Sequence, residues 1–199
     1  MIEPTDYKKL ILQLKPYYKI VITGPQRAGT TIISKILSEE LNYEFLSEKV
    51  FNTRNYEKFK QKIINTNNFV IQAPCLSYLA HKIQEIDQNI MVIFIYRKID
   101  DIIKSQIRIN WIGEQEERNN YIEYFPDFYS RDKPISEIKY DVYIKYQKPR
   151  MINTVFLNYY TFKKHPLWID KKYRVTFKPH QIELKDHDKY AFKLLHGNV

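Results

Sequence analysis

The segment Lys19-Ile20-Val21-Ile22-Thr23-Gly24-Pro25-Gln26-Arg27-Ala28-Gly29-Thr30-Thr31 constrains this chain more than any other, because a compact apolar run passes directly into a glycine turn and then into a helical pattern. The run reads as a buried strand. After the turn, Ile32, Ile33, Ile36, Leu37 and Leu41 recur at the spacing of one helix face, with Lys35, Glu39 and Glu40 between them. The alternation then repeats. Tyr43–Leu46 reads as a strand, Tyr56–Ile64 as a basic amphipathic helix, and Asn68–Gln72 as a strand stopped at Pro74. Leu76, Leu79, Ile83 and Ile86 mark one continuous helix, and Ile90–Tyr96 is the strongest strand, its unbroken apolarity suiting a central position covered on both faces. A helix over Asp100–Ile109 follows. Such alternation predicts an α/β fold of three layers, a central parallel sheet flanked by helices and joined by right-handed crossovers. A short helix over Tyr7–Leu14 precedes it, and beyond Trp111 the pattern weakens to helices over Glu114–Tyr124 and Ile138–Tyr146 and a strand over Thr154–Tyr159.

Gly24 and Gly29 have the Gly-x-x-x-x-Gly spacing of a P-loop, and they stand where a phosphate grip needs them, between a buried strand and a helix. Backbone N–H groups of such a loop and the open helix N-terminus form a concave donor site for phosphate oxygens, and glycine lets the backbone approach closely. Gly24, Pro25, Gln26, Arg27, Ala28, Gly29, Thr30 and Thr31 are therefore the candidate phosphate-binding residues, the two threonine hydroxyls adding donors. The plainer reading is a tight strand-to-helix turn capped by Thr30. A triphosphatase of the Walker type carries lysine after the second glycine, where this chain has Thr30, and the strand ends read Thr23, Gln72, Tyr96 and Asn158 with no magnesium-holding aspartate. ATP hydrolysis is disfavoured on those grounds.

The central strand ends in Arg97, and Ser105 lies eight residues on, two turns into the next helix. Here the sequence resembles the sulfotransferase family, whose members carry a (Lys/Arg)-Ser-Gly-Thr-Thr loop after the first strand and an Arg followed eight residues later by Ser. Arg27-Ala28-Gly29-Thr30-Thr31 matches the first with alanine for serine, and Arg97 with Ser105 matches the second in type, order and spacing. A fainter echo lies at Leu157-Asn158-Tyr159-Tyr160, where the family has a strand ending in Tyr-Glu and this chain has Tyr160 in place of the glutamate. The resemblance implies a short, divergent member that uses 3′-phosphoadenosine 5′-phosphosulfate as co-substrate, without a metal. It implies that Arg27 and the loop hold the 5′-phosphosulfate, and that Arg97 and Ser105 hold the 3′-phosphate. It further implies a single domain over 1–199, with a nucleotide-binding core at 19–110 and an acceptor side and C-terminal wrap at 111–199. Leu46-Ser47-Glu48-Lys49-Val50-Phe51 resembles the Lys-Glu-x-x-Phe-Phe region of the glycan-modifying branch, which makes Glu48 the candidate general base. His81, on a helix, is the weaker alternative, and a solvated surface role fits either residue.

Composition sets outer bounds. At 199 residues with 44% hydrophobic and 28% charged side chains, the chain suits one globular domain, and no apolar run reaches membrane-spanning length. The N-terminus lacks a secretory pattern, so a cytoplasmic location is expected. Its one cysteine, Cys75, permits no intramolecular disulfide and reads as a small buried hydrophobe. Of the +9 net charge, residues 1–132 contribute 18 basic against 17 acidic groups and residues 133–199 contribute 14 against 6. That excess favours an anionic partner. Two alternatives to a sulfotransferase remain: a P-loop nucleotide kinase or hydrolase with an atypical loop, and a non-catalytic anion or nucleic-acid binder using the basic, aromatic C-terminal third. The hydroxyl or amine acceptor, a glycan or other small molecule, is not identified by any motif.

Overall fold

A computed structural model describes residues 6–48, 55–109, 111 and 114–170. The tail from Lys171, expected to wrap over the domain, lies outside them, as do Lys49, Val50 and Phe51. Five strands form one sheet: β1 (Lys19–Thr23), β2 (Glu44–Leu46), β3 (Phe69–Gln72), β4 (Ile90–Tyr96) and β5 (Thr154–Asn158). Their order is β2-β3-β1-β4-β5, and every neighbouring pair is parallel. In register, Val21 stands opposite Ile71 on one side and Val92 on the other. β1 is thus the middle strand and is buried along its whole length.

Helices cover the sheet: α1 (Tyr7–Leu14), α2 (Thr30–Leu41), α3 (Tyr56–Ile64), α4 (Ala80–Ile86), α5 (Ile99–Arg108), α6 (Glu114–Tyr124), α7 (Ile135–Val142) and α8 (Pro166–Ile169). α2 turns Ile33, Ile36 and Leu37 into the core and ends on Asn42 in the left-handed conformation, whose N–H closes back onto Ser38 and Glu39. Asp6 caps α1 and Asn55 caps α3 through side-chain oxygens. The expected three-layer α/β architecture is what the chain adopts.

Two boundaries differ from expectation. The helix expected from Leu76 is a 3₁₀ segment over Pro74–Leu79 that meets α4 at a bend, with Leu76 off helical geometry. Pro74 occupies the first turn there, where its missing N–H costs nothing. The helix expected over Ile138–Tyr146 starts earlier, at Ile135 after Pro134, and runs into a π-type turn over Tyr143–Gln147. That turn brings the Tyr143 ring onto Phe94 at 3.9 Å between centroids, and the Tyr143 hydroxyl lies 2.6 Å from Thr154. A second apolar cluster, formed by Tyr121, Phe125, Ile135, Ile138 and Val142, ties α6 to α7 beside the main core. Among the described residues no helix is long and apolar enough to cross a membrane.

Candidate nucleotide site

The C-terminal ends of parallel strands are where open α/β sheets hold ligands, because loops from neighbouring strands diverge there. On this edge the chain places the Gly24–Gly29 loop after β1, Arg97 after β4 and Tyr159 after β5. Gly24 has φ +133°, and a Cβ on it would lie 2.8 Å from the carbonyl oxygen of Ile95. Only glycine lets the loop leave β1 so close to the backbone of β4. The loop then turns: the Ala28 N–H donates to the Pro25 carbonyl at 3.0 Å, with Arg27 inside the turn at φ +70°. Gly29, at φ +100°, caps α2 without any side-chain cap, so the first N–H groups of that helix face the loop.

One feature concerns Ala28, whose N–H is taken up inside the turn and whose side chain is fully buried. A second feature escaped sequence reasoning: the Tyr159 ring lies directly on Gly29, where any Cβ would run into it. Thr30 is buried and Thr31 is half-buried. The Thr30 carbonyl accepts the Ser34 hydroxyl at 2.7 Å.

Two motifs about seventy residues apart in sequence meet at Arg27. Its Nε donates to the hydroxyl of buried Ser105 at 3.2 Å, and Arg97 donates through Nη1 to the Arg27 carbonyl at 2.9 Å. The Arg97 guanidinium also stacks over the Tyr159 ring at 4.5 Å, while its Nε is buried without a hydrogen-bond partner among the described residues. Tyr140, from α7, fixes the backbone at this point: its hydroxyl accepts the Arg97 N–H and donates to the Arg97 carbonyl, both at 2.9 Å. Burial holds the Tyr140 phenol well above its ordinary range, so it stays protonated and able to donate. The Arg27 guanidinium is pulled below its ordinary value, first by burial and then by the like charges of Arg108 and Arg97, against an opposing influence from Tyr159. The site is electropositive.

Glu48 stands beside the loop through a sulfur bridge. Gln26 Nε2 donates to Cys75 Sγ, and the Cys75 thiol donates to Glu48 Oε2, both at 3.5 Å. Burial, followed by the nearby Glu48 and Glu117 carboxylates, pushes the Cys75 thiol up to about 12. It is a neutral, half-buried donor that orients the carboxylate, rather than the fully buried hydrophobe expected. The interior pair of Lys139 with Glu117, at 2.6 Å, lies within electrostatic reach of the same thiol. His81 is placed elsewhere. Its ring packs against Phe125 and Tyr146 at 6.3 and 5.5 Å, and among the described residues its Nδ1 is buried without a hydrogen-bond partner. Burial lowers its basicity first, with Glu85 opposing and Lys82 and Arg150 adding to the lowering. Among the described residues no three or more His, Cys, Asp or Glu gather into a group that could hold a metal.

Tyr159 had a legible signal, since it directly follows a strand on the ligand-bearing edge. Tyr140 had none, because its role depends on how α7 packs. In comparisons with known proteins, no family model matches the chain, and no curated protein matches it by sequence. Among solved structures, a shikimate kinase from Acinetobacter baumannii in complex with shikimate is similar at a TM-score of 0.42 and 14% identity, over 93% of this chain and 94% of that one. The likeness concerns overall architecture alone.

Proposed function

We propose that the chain is a sulfotransferase, moving a sulfuryl group from 3′-phosphoadenosine 5′-phosphosulfate to a hydroxyl or amine of a glycan or other small acceptor. The observation that carries the reading is the meeting of Arg27, Arg97 and Ser105 at the mouth of a glycine loop that lacks the Walker lysine. In such a transfer the acceptor oxygen bonds to sulfur as the bond from sulfur to the bridging oxygen breaks, and the electron pair leaves on the phosphate. The protein's contribution is position and charge. Arg27 would offset charge growing on the bridging oxygen, Arg97 and Ser105 would hold the second phosphate, and Glu48 would take the acceptor proton. Glu48 fits that task because the Cys75 thiol fixes its carboxylate next to the loop residue Gln26.

Phosphoryl transfer by a P-loop kinase with an atypical loop is the second reading. A loop after the middle strand of a parallel sheet serves phosphoryl transfer equally well. Thermal unfolding separates the two. Adenosine 3′,5′-bisphosphate without metal should stabilise the chain by about 2.7 kcal/mol at a hundredfold excess over Kd, and ATP with magnesium should do less. Stabilisation by ATP with magnesium alone would sink the sulfotransferase reading in favour of the kinase. Salt-sensitive binding of single-stranded nucleic acid with no response to either nucleotide would sink both.

A further inference from the structure

We propose that Tyr121 and Gln147 are positioning residues for the reaction: they fix the 3₁₀ segment Pro74–Leu79 from two sides, and so set where its Cys75 thiol holds the Glu48 carboxylate beside the loop. The proposal rests on the reading of Glu48 as the proton acceptor given above, and extends it to residues outside every motif.

The thiol cannot do this alone. Sulfur is a weak hydrogen-bonding atom, and its contacts to Gln26 and Glu48 are both 3.5 Å long, so the carboxylate is only as well placed as the backbone that carries Cys75. That backbone is short and irregular. Pro74 brings no N–H, Leu76 departs from helical angles, and so short a 3₁₀ turn leaves carbonyls to be satisfied from outside. At its start the Thr23 hydroxyl donates to the Ala73 carbonyl at 2.9 Å, tying it to the end of β1. Beyond Cys75, bonds from two fully buried side chains converge on two residues. The Tyr121 hydroxyl, on α6, donates to Ser77 Oγ at 3.2 Å, and Gln147 Nε2, in the π-type turn after α7, donates to the carbonyls of Ser77 and Tyr78 at 3.0 and 2.8 Å. Burial holds the Tyr121 phenol above its ordinary value, so it keeps the proton it donates. Gln147 carries a cost here: its Oε1 is buried without a hydrogen-bond partner among the described residues, a penalty that an apolar side chain of similar shape would avoid. Cys75 thus sits between two anchors, β1 before it and the α6–α7 unit after it.

A plainer role exists for both residues. They satisfy buried polar groups of the turn, which by itself would affect stability and leave the chemistry of the folded chain unchanged. The full chain distinguishes the two roles through its single thiol, whose S–H stretching band in the infrared rises in frequency as the thiol's hydrogen bond weakens. Tyr121→Phe and Gln147→Met should each move that band toward its position in Glu48→Ala. Each should also lower single-turnover transfer from 3′-phosphoadenosine 5′-phosphosulfate by about ten- to hundredfold, as misplacing a reacting group does, with bisphosphate affinity changed by less than about twofold. Ser77→Ala added to Tyr121→Phe should cost nothing more, because both delete the same bond. Thermal unfolding identifies a variant that fails to fold, and the other then carries the comparison. A wild-type band or a wild-type rate in the folded variants, whatever their stability, would overturn the proposal and leave Glu48 in its role. A wild-type rate in Glu48→Gln would overturn that role, and this proposal with it.

Discussion

Arg27 holds a left-handed backbone, φ +70°, that costs a residue with a side chain about 1–2 kcal/mol. The turn would form more easily with glycine, so the strain is retained together with the guanidinium. Arg27→Gly should therefore be more stable than Arg27→Ala by about 1 kcal/mol in urea unfolding, although both lose the charge. Equal midpoints for the two variants would mean that the turn relaxes away from this conformation. Glu48 carries a different expectation. If it removes the acceptor proton, Glu48→Gln should lower the transfer rate by roughly 10²–10⁴ with little change in bisphosphate affinity. The readout is single-turnover transfer alongside titration, and an undiminished rate would free Glu48 from the role. His81, half-buried, packs its ring against Phe125 and Tyr146 instead of beside Gln26.

At the scale of elements, α7 governs the site without belonging to it. Tyr140 satisfies both backbone polar groups of Arg97 at the point where β4 ends. Tyr140→Phe would leave that N–H and C=O without their partner, so unfolding free energy should fall by about 1–3 kcal/mol. Because Arg97 is then less well held, bisphosphate affinity should fall too. Lost stability with intact affinity would show that Arg97 is positioned by its other contacts, the Arg27 carbonyl and the Tyr159 ring. α7 also carries Lys139, whose side chain is 1% exposed and whose ion-pair partner is Glu117 on α6. Glu117→Leu leaves that ammonium buried without its counter-charge and should destabilise the fold by about 3–5 kcal/mol, while adding Lys139→Met should recover much of the loss. A small effect of the single substitution in a denaturant titration would mean that water reaches Lys139.

Across the whole molecule, distant segments close around the middle strand. His165, 1% exposed at its side chain, accepts the Leu167 N–H on Nδ1 at 3.2 Å, which leaves Nε2 as the donor to Glu40 of α2 at 2.9 Å. That bond joins the cap of α8 to a helix formed 125 residues earlier. His165→Ala should lower global stability by about 1–3 kcal/mol through the lost cap and the unpaired carboxylate, read as a single cooperative unfolding transition. A wild-type midpoint would show that α8 docks without it. Much of this architecture was legible in advance wherever the signal is local. Ile20, Val21 and Ile22 predict a buried strand, Ile33, Ile36 and Leu37 predict a helix face, and the spacing from Gly24 to Gly29 predicts the loop between them, because each depends on neighbours a few residues away. The order β2-β3-β1-β4-β5, the Tyr159 ring on Gly29, the use of the Ala28 N–H inside the turn and the packing of His81 against Tyr146 were decided by tertiary structure alone. The sequence by itself determined which segments become strands, which become helices and where the glycine turn falls, since backbone geometry and the periodicity of burial act over short stretches. Which side chains face that turn depends on packing between residues far apart in the chain, and no local pattern encodes it.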